Sequence, residues 1–154
     1  SPRIAQVMGA MTEVAFHFNT PDRVAYACRL LRKAVASGAK LMVTGSPDTL
    51  QQLDSALWNF SPTDFVPHCH ADDNALLVSA SPVVLSASAQ AGAHRQVLVN
   101  LDRQVPEGFE QFERVIELVG MDDEDRQLAR RRWKHYVDLG YTITRHDLTL
   151  KAPH

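Results

Sequence analysis

Short apolar runs alternate along this chain with longer amphipathic stretches, and that alternation sets the layout. In "EVAFHF" (Glu13–Phe18), Val14, Phe16 and Phe18 share one face and Glu13, Ala15 and His17 the other, which predicts a strand. "NTPDRVAYACRLLRKAVASG" follows, with Val24, Ala27, Cys28, Leu31 and Val35 at helical spacing. Thr20 is its expected cap, Pro21 suits the first turn, Asp22 complements the dipole and Gly38 closes the helix. "KLMVTG" (Lys40–Gly45) predicts a second strand. "SPDTLQQLDSALW" predicts a second helix, capped by Ser46, with Pro47 first and Leu50, Leu53 and Leu57 on one face.

"ALLVSA" (Ala75–Ala80) and "RQVLVNLD" (Arg95–Asp102) read as strands, separated by "SPVVLSASAQAGAH" as a loop or weak edge strand. "EGFEQFERVIELVG" sets Phe109, Phe112, Val115, Ile116 and Val119 at helical spacing and predicts a helix ending at Gly120. "DDEDRQLARRRWKHYVDLG" predicts a last, long helix stopped by Gly140, and "YTITRHDL" a last strand. The order implies one α/β domain of three layers: a mostly parallel or mixed sheet with helices on both faces, Rossmann-like without a nucleotide fingerprint. No segment repeats.

The 154 residues suit a single domain. "MTEVAFHF" reads as a natural start, so residues 1–10 are expected to be a leader or loose extension ahead of a domain at 11–154. A net charge of −2 excludes a global field that draws the protein onto nucleic acid, so electrostatic recognition must come from a local patch. Two cysteines are too few for a disulfide framework and point to a reducing, cytoplasmic setting. No apolar run approaches the roughly 20 residues of a membrane span.

Three places carry candidate chemistry. The triplet His68-Cys69-His70 lacks the second ligand pair a zinc site needs, and Cys28 lies mid-helix among core-spaced residues. In an extended segment both histidines face one side and Cys69 the other, so no metal or cofactor is expected there. The turn "VTGSPDT" puts Gly45 ahead of a helix N-terminus, where phosphates bind, and leaves a nucleotide-binding enzyme using Gly45–Thr49 as an alternative. The last helix is the third. At about 100° per residue, Leu128, Ala129, Trp133, Tyr136, Val137 and Leu139 form an apolar half. Arg126 and Arg130 border it beside Trp133 and Val137, Arg131 and Lys134 point to solvent, and Arg132 falls inside the apolar arc with no evident partner. Two guanidiniums beside an aromatic shelf suit a chain end that is both acidic and apolar, because arginine forks a carboxylate while the shelf buries its neighbour. A solvated basic face fits the same run equally well. Direct binding of single-stranded DNA is disfavoured by Asp122, Asp123, Glu124 and Asp125 alongside.

"LDSALWNFSPTDFVPH" (Leu53–His68) and "RQLARRRWKHYVDLGY" (Arg126–Tyr141), with "FHFNTPDRVAYACRLLRKA" as a looser match, resemble the chi subunit of bacterial DNA polymerase III holoenzyme. The likeness covers about residues 11–150. It implies a mononucleotide-binding type of α/β fold without nucleotide chemistry and a non-catalytic accessory role within a nucleotidyltransferase complex. Chi links the clamp loader, through the psi subunit, to single-stranded DNA-binding protein by gripping that protein's acidic C-terminal tail and its terminal Phe. The matching tail positions are Arg126, Arg130 and Trp133, with Val119 and Tyr136 lining the pocket. The matching positions for psi, or for another protein such as a helicase, are Trp58 and Phe65. The resemblance thus implies no cofactor, only indirect contact with nucleic acid, and none with a membrane.

Overall fold

The computed structural model describes residues 12–59, 66–89 and 94–148. The elements run β1 (Glu13–Thr20), α1 (Arg23–Ala36), β2 (Leu41–Thr44), α2 (Pro47–Trp58), β3 (His68–His70) and α3 (Ala75–Ala80). They continue with β4 (Val83–Ser86), β5 (Val97–Asn100), a 3₁₀ turn (Phe109–Gln111), β6 (Arg114–Gly120), α4 (Asp123–Asp138) and β7 (Ile143–Asp147). Among the described residues the sheet has seven strands in the order β3-β4-β2-β5-β6-β1-β7, and every pairing is parallel. The expected α/β architecture is thus present, and the sheet expected to be mostly parallel or mixed is parallel at each of these pairings.

Each face of the sheet carries its own core. On one, Ala27, Cys28 and Leu31 of α1 and Leu50, Leu53 and Leu57 of α2 pack on Leu41, Val43, Leu85, Val99, Ile116 and Leu118. On the other, Ala129 and Tyr136 of α4 and Val78 of α3 meet Val14, Phe16, Met42, Leu98, Val115 and Val119. Leu31, Leu53 and Leu57 are wholly buried, each contributing roughly 1.5–3 kcal/mol. Ser46 caps α2 by accepting from the Thr49 amide, with Pro47 first, as the spacing predicts.

Four expectations give way. Asp22 rather than Thr20 caps α1, accepting from the Ala25 amide, so Pro21 precedes the helix. "ALLVSA" is the short helix α3 and not a strand; a six-residue apolar run does not distinguish the two by period. "VVLS" forms β4 inside the sheet, between β3 and β2, with Val83, Val84 and Leu85 fully buried. The largest difference is "EGFEQFERVIELVG". Phe109 lies in the 3₁₀ turn and Phe112 just after it, while Arg114–Gly120 is the inner strand β6. Val115, Glu117 and Val119 face α4, and Ile116 and Leu118 face α1 and α2, so burial on both sides removes the period-2 signal.

Candidate functional site

Helix α4 begins at Asp122, whose carboxylate accepts from the Asp125 amide, and Asp123, Glu124 and Asp125 follow at the positive end of the dipole. The stripe it buries is Ala129, Arg132 and Tyr136, narrower than the predicted apolar half, since Val137 and Leu139 stay half exposed. Arg132 therefore has a partner after all. Its Nε donates to Glu117 Oε1 at 2.9 Å and its Nη1 to the Arg103 carbonyl at 3.0 Å. Tyr136 Oη donates to Glu117 Oε2 at 2.6 Å, and Asn100 Nδ2 reaches the same carboxyl at 2.9 Å. Burial pushes the Glu117 carboxyl above the usual carboxylate range, and Arg132, Tyr136 and Asn100 pull it back. The Tyr136 phenol is held far above its ordinary value by burial and by Glu117.

Tyr136 consequently does not line the expected pocket but lies beneath it, with no exposed surface. The other four positions do converge. Val119, Arg126, Arg130 and Trp133 line one cleft of about 550 Å³ together with Ala129, Phe16, Phe18, Asn19 and Arg145. Its floor is aromatic: the Trp133 ring lies 5.1 Å from Phe16, and Phe16 is 6.0 Å from Tyr136. Arg126 Nη2 donates to Asn19 Oδ1 at 2.8 Å, and Asn19 Nδ2 donates to Asp147 Oδ1 at 2.9 Å. Asn19 takes a left-handed φ of 61°, where the β1–β6 register shifts, and that irregularity aims its amide at α4. The Arg145 guanidinium lies over two rings, 5.4 Å from Phe18 and 5.7 Å from Trp133. The cleft thus joins cations to apolar rings, the combination an acidic, apolar chain end requires.

Phe18, Asn19 and Arg145 were not among the expected site residues. Alternation in "EVAFHF" and "TITRHD" does place Phe16 with Phe18 and Ile143 with Arg145, but not β7 beside β1. That adjacency arises because the β6–α4–β7 crossover steps over β1.

Trp58 ends α2 and is 64% exposed, its ring edge-on to His68 at 5.7 Å. Phe65 lies outside the described residues. His68-Cys69-His70 is the edge strand β3, with Cys69 buried beneath the sheet and both histidines facing Asp54 of α2. Among the described residues no three His, Cys, Asp or Glu side chains converge as metal ligands would. Nor is any described helix long and apolar enough to cross a membrane. At the Gly45 turn a Cβ would sit 3.3 Å from Leu101 Cβ, so close packing accounts for the glycine. The crevice where the chain leaves β1 and β6 for opposite faces is the place such sheets bind phosphates. Here four carboxylates, of Asp22, Asp122, Glu124 and Asp125, outnumber the two guanidiniums of Arg23 and Arg103, and Asp125 Oδ2 takes the Gly120 amide at 2.6 Å.

A family profile described as DNA polymerase III chi subunit, HolC, matches residues 11–144. Three proteins named DNA polymerase III subunit chi are similar to the chain. That of Pseudomonas aeruginosa is 33% identical over 90% of this chain and 98% of its own length. Those of Haemophilus influenzae and Escherichia coli are 26% and 25% identical, covering 77% and 75% of this chain and 82% and 79% of theirs.

Proposed function

The chain belongs to the DNA polymerase III chi subunit family, and from that premise we propose that it is a replication accessory adaptor whose α4–β1 cleft receives the acidic C-terminal tail of single-stranded DNA-binding protein. Membership carries an accessory role in DNA replication rather than a catalytic one. The observation that supports the tail reading is the convergence of Arg126, Arg130, Trp133 and Val119 on one aromatic-floored cleft. Arg130 pairs with the terminal carboxylate, Arg126 attracts the preceding acidic residues, and the terminal phenyl ring packs on Trp133. Trp58 supports a second docking point, for psi or another replication protein, since an exposed tryptophan is a frequent interface anchor.

Fluorescence anisotropy tests the tail reading. A labelled acidic peptide ending in Phe is titrated with the protein, beside the same peptide amidated at its C-terminus. The free-acid peptide binds saturably, weakens as salt rises and outcompetes the amide. Absence of saturable binding at low salt removes the reading.

A further inference from the structure

The geometry points to Arg145 as a specificity residue that makes the cleft a receptor for two carboxylates: the terminal one, and the side chain of one acidic residue shortly before it. The inference rests on the tail-receptor reading and adds a directed contact: Arg126, held by Asn19, attracts the acidic stretch at large, whereas Arg145 pairs with one particular side chain.

Arg126 and Arg130 stand one turn apart on α4, whereas Arg145 comes from the edge strand β7, so the cleft carries cations on two separate elements. Arg145 is exposed, yet its guanidinium is not adrift, because it lies over both Phe18 and Trp133. Stacking occupies the faces of the planar group and leaves its N–H edge to donate. Among the described residues neither Arg130 nor Arg145 has a hydrogen bond or ion pair, although Arg126 is engaged by Asn19. Two guanidiniums without a carboxylate partner line one partly apolar cleft, and two anions satisfy them better than one. A peptide end with one carboxylate meets only half of this arrangement. One that sets its terminal carboxylate and an acidic side chain on either side of an apolar residue satisfies both cations. Arg145 stands just beyond the residues matched by the family profile.

The test is a peptide scan by anisotropy. The parent is the labelled acidic peptide ending in Phe, and each variant changes one of the last acidic residues from Asp to Asn. They are titrated with the wild-type protein, Arg145→Gln, Arg145→Lys and Arg130→Gln. One Asn peptide should lose about tenfold in affinity for wild type, the size of one charge-assisted hydrogen bond. Arg145→Gln should weaken the parent by a similar factor and that Asn peptide by less than about twofold, as coupled partners do. Arg145→Lys should fall between, and Arg130→Gln should weaken every peptide. If Arg145→Gln leaves the parent unchanged, or weakens all peptides equally, while Arg130→Gln still weakens every peptide, the two-carboxylate inference is wrong and the tail reading stands. If the wild type binds no peptide, both fall.

Discussion

Arg130 and Arg132 stand two residues apart on α4 and meet opposite surroundings. Arg132 turns inward, 3% exposed, onto Glu117 at the middle of the sheet, where Tyr136 and Asn100 complete the carboxyl's partners. Arg130 turns outward onto the cleft and, among the described residues, has no carboxylate of its own. The two arginines therefore report different things. A guanidinium whose charge is met inside the fold holds the helix in place, and one whose charge is left facing an aromatic cleft is available to a partner. The inward pair fixes the rotation of α4 about its axis, and that rotation presents Arg126, Arg130 and Trp133 to the cleft.

Arg132→Ala should have the largest effect. It strands the Glu117 carboxylate in the interior, and removing one partner of a buried pair costs about 3–5 kcal/mol. Chemical denaturation should show that loss as a lower midpoint; a change below about 1 kcal/mol would mean the pair does not anchor the helix.

Alkaline pH offers a second approach. The folded pKa of Tyr136 lies above its unfolded value of about 10, so its contribution is intact below that pH and drains away as pH rises. The unfolded chain releases the phenolic proton while the folded one keeps it, a slope of about 1.4 kcal/mol per pH unit for one group. Tyr136→Phe, less stable at neutral pH by about 1–3 kcal/mol because Glu117 loses a donor, should show a shallower decline above pH 10. Parallel slopes would place the alkaline sensitivity elsewhere.

How much of this was legible in the chain depends on how many sides of each element are buried. β1, α1, α2 and α4 each bury one face more than the other, and each shows its period in the residues. β2, β4, β5 and β6 are buried on both faces and show none; β2 and β5 still read as strands from their short apolar runs, whereas "RVIELVG", with Phe109 and Phe112 ahead of it, mimics a helix. That misassignment also hid the partner of Arg132, since Glu117 could not be placed beneath α4. The flank of α4 that faces the cleft was readable from its own spacing, but the β1 and β7 walls were not. They depend on strand order, which local pattern does not carry.

Outward-facing side chains away from the cleft should matter less. Arg131→Ala and Trp58→Ala remove exposed side chains and should each change stability by less than about 0.5 kcal/mol. Arg131→Ala should also leave peptide affinity within about twofold at moderate salt, because its charge faces away from the cleft. A tenfold loss there would indicate a diffuse basic surface rather than a site.

The most direct test sets function and stability side by side in Arg130→Ala. Binding of the labelled acidic peptide ending in Phe, at low and at moderate salt, is measured together with the melting temperature. Peptide binding should be lost while the melting temperature stays within about a degree or two of wild type. Retained binding in a folded Arg130→Ala protein would contradict the tail reading, since the outward arginine would then have no partner to serve.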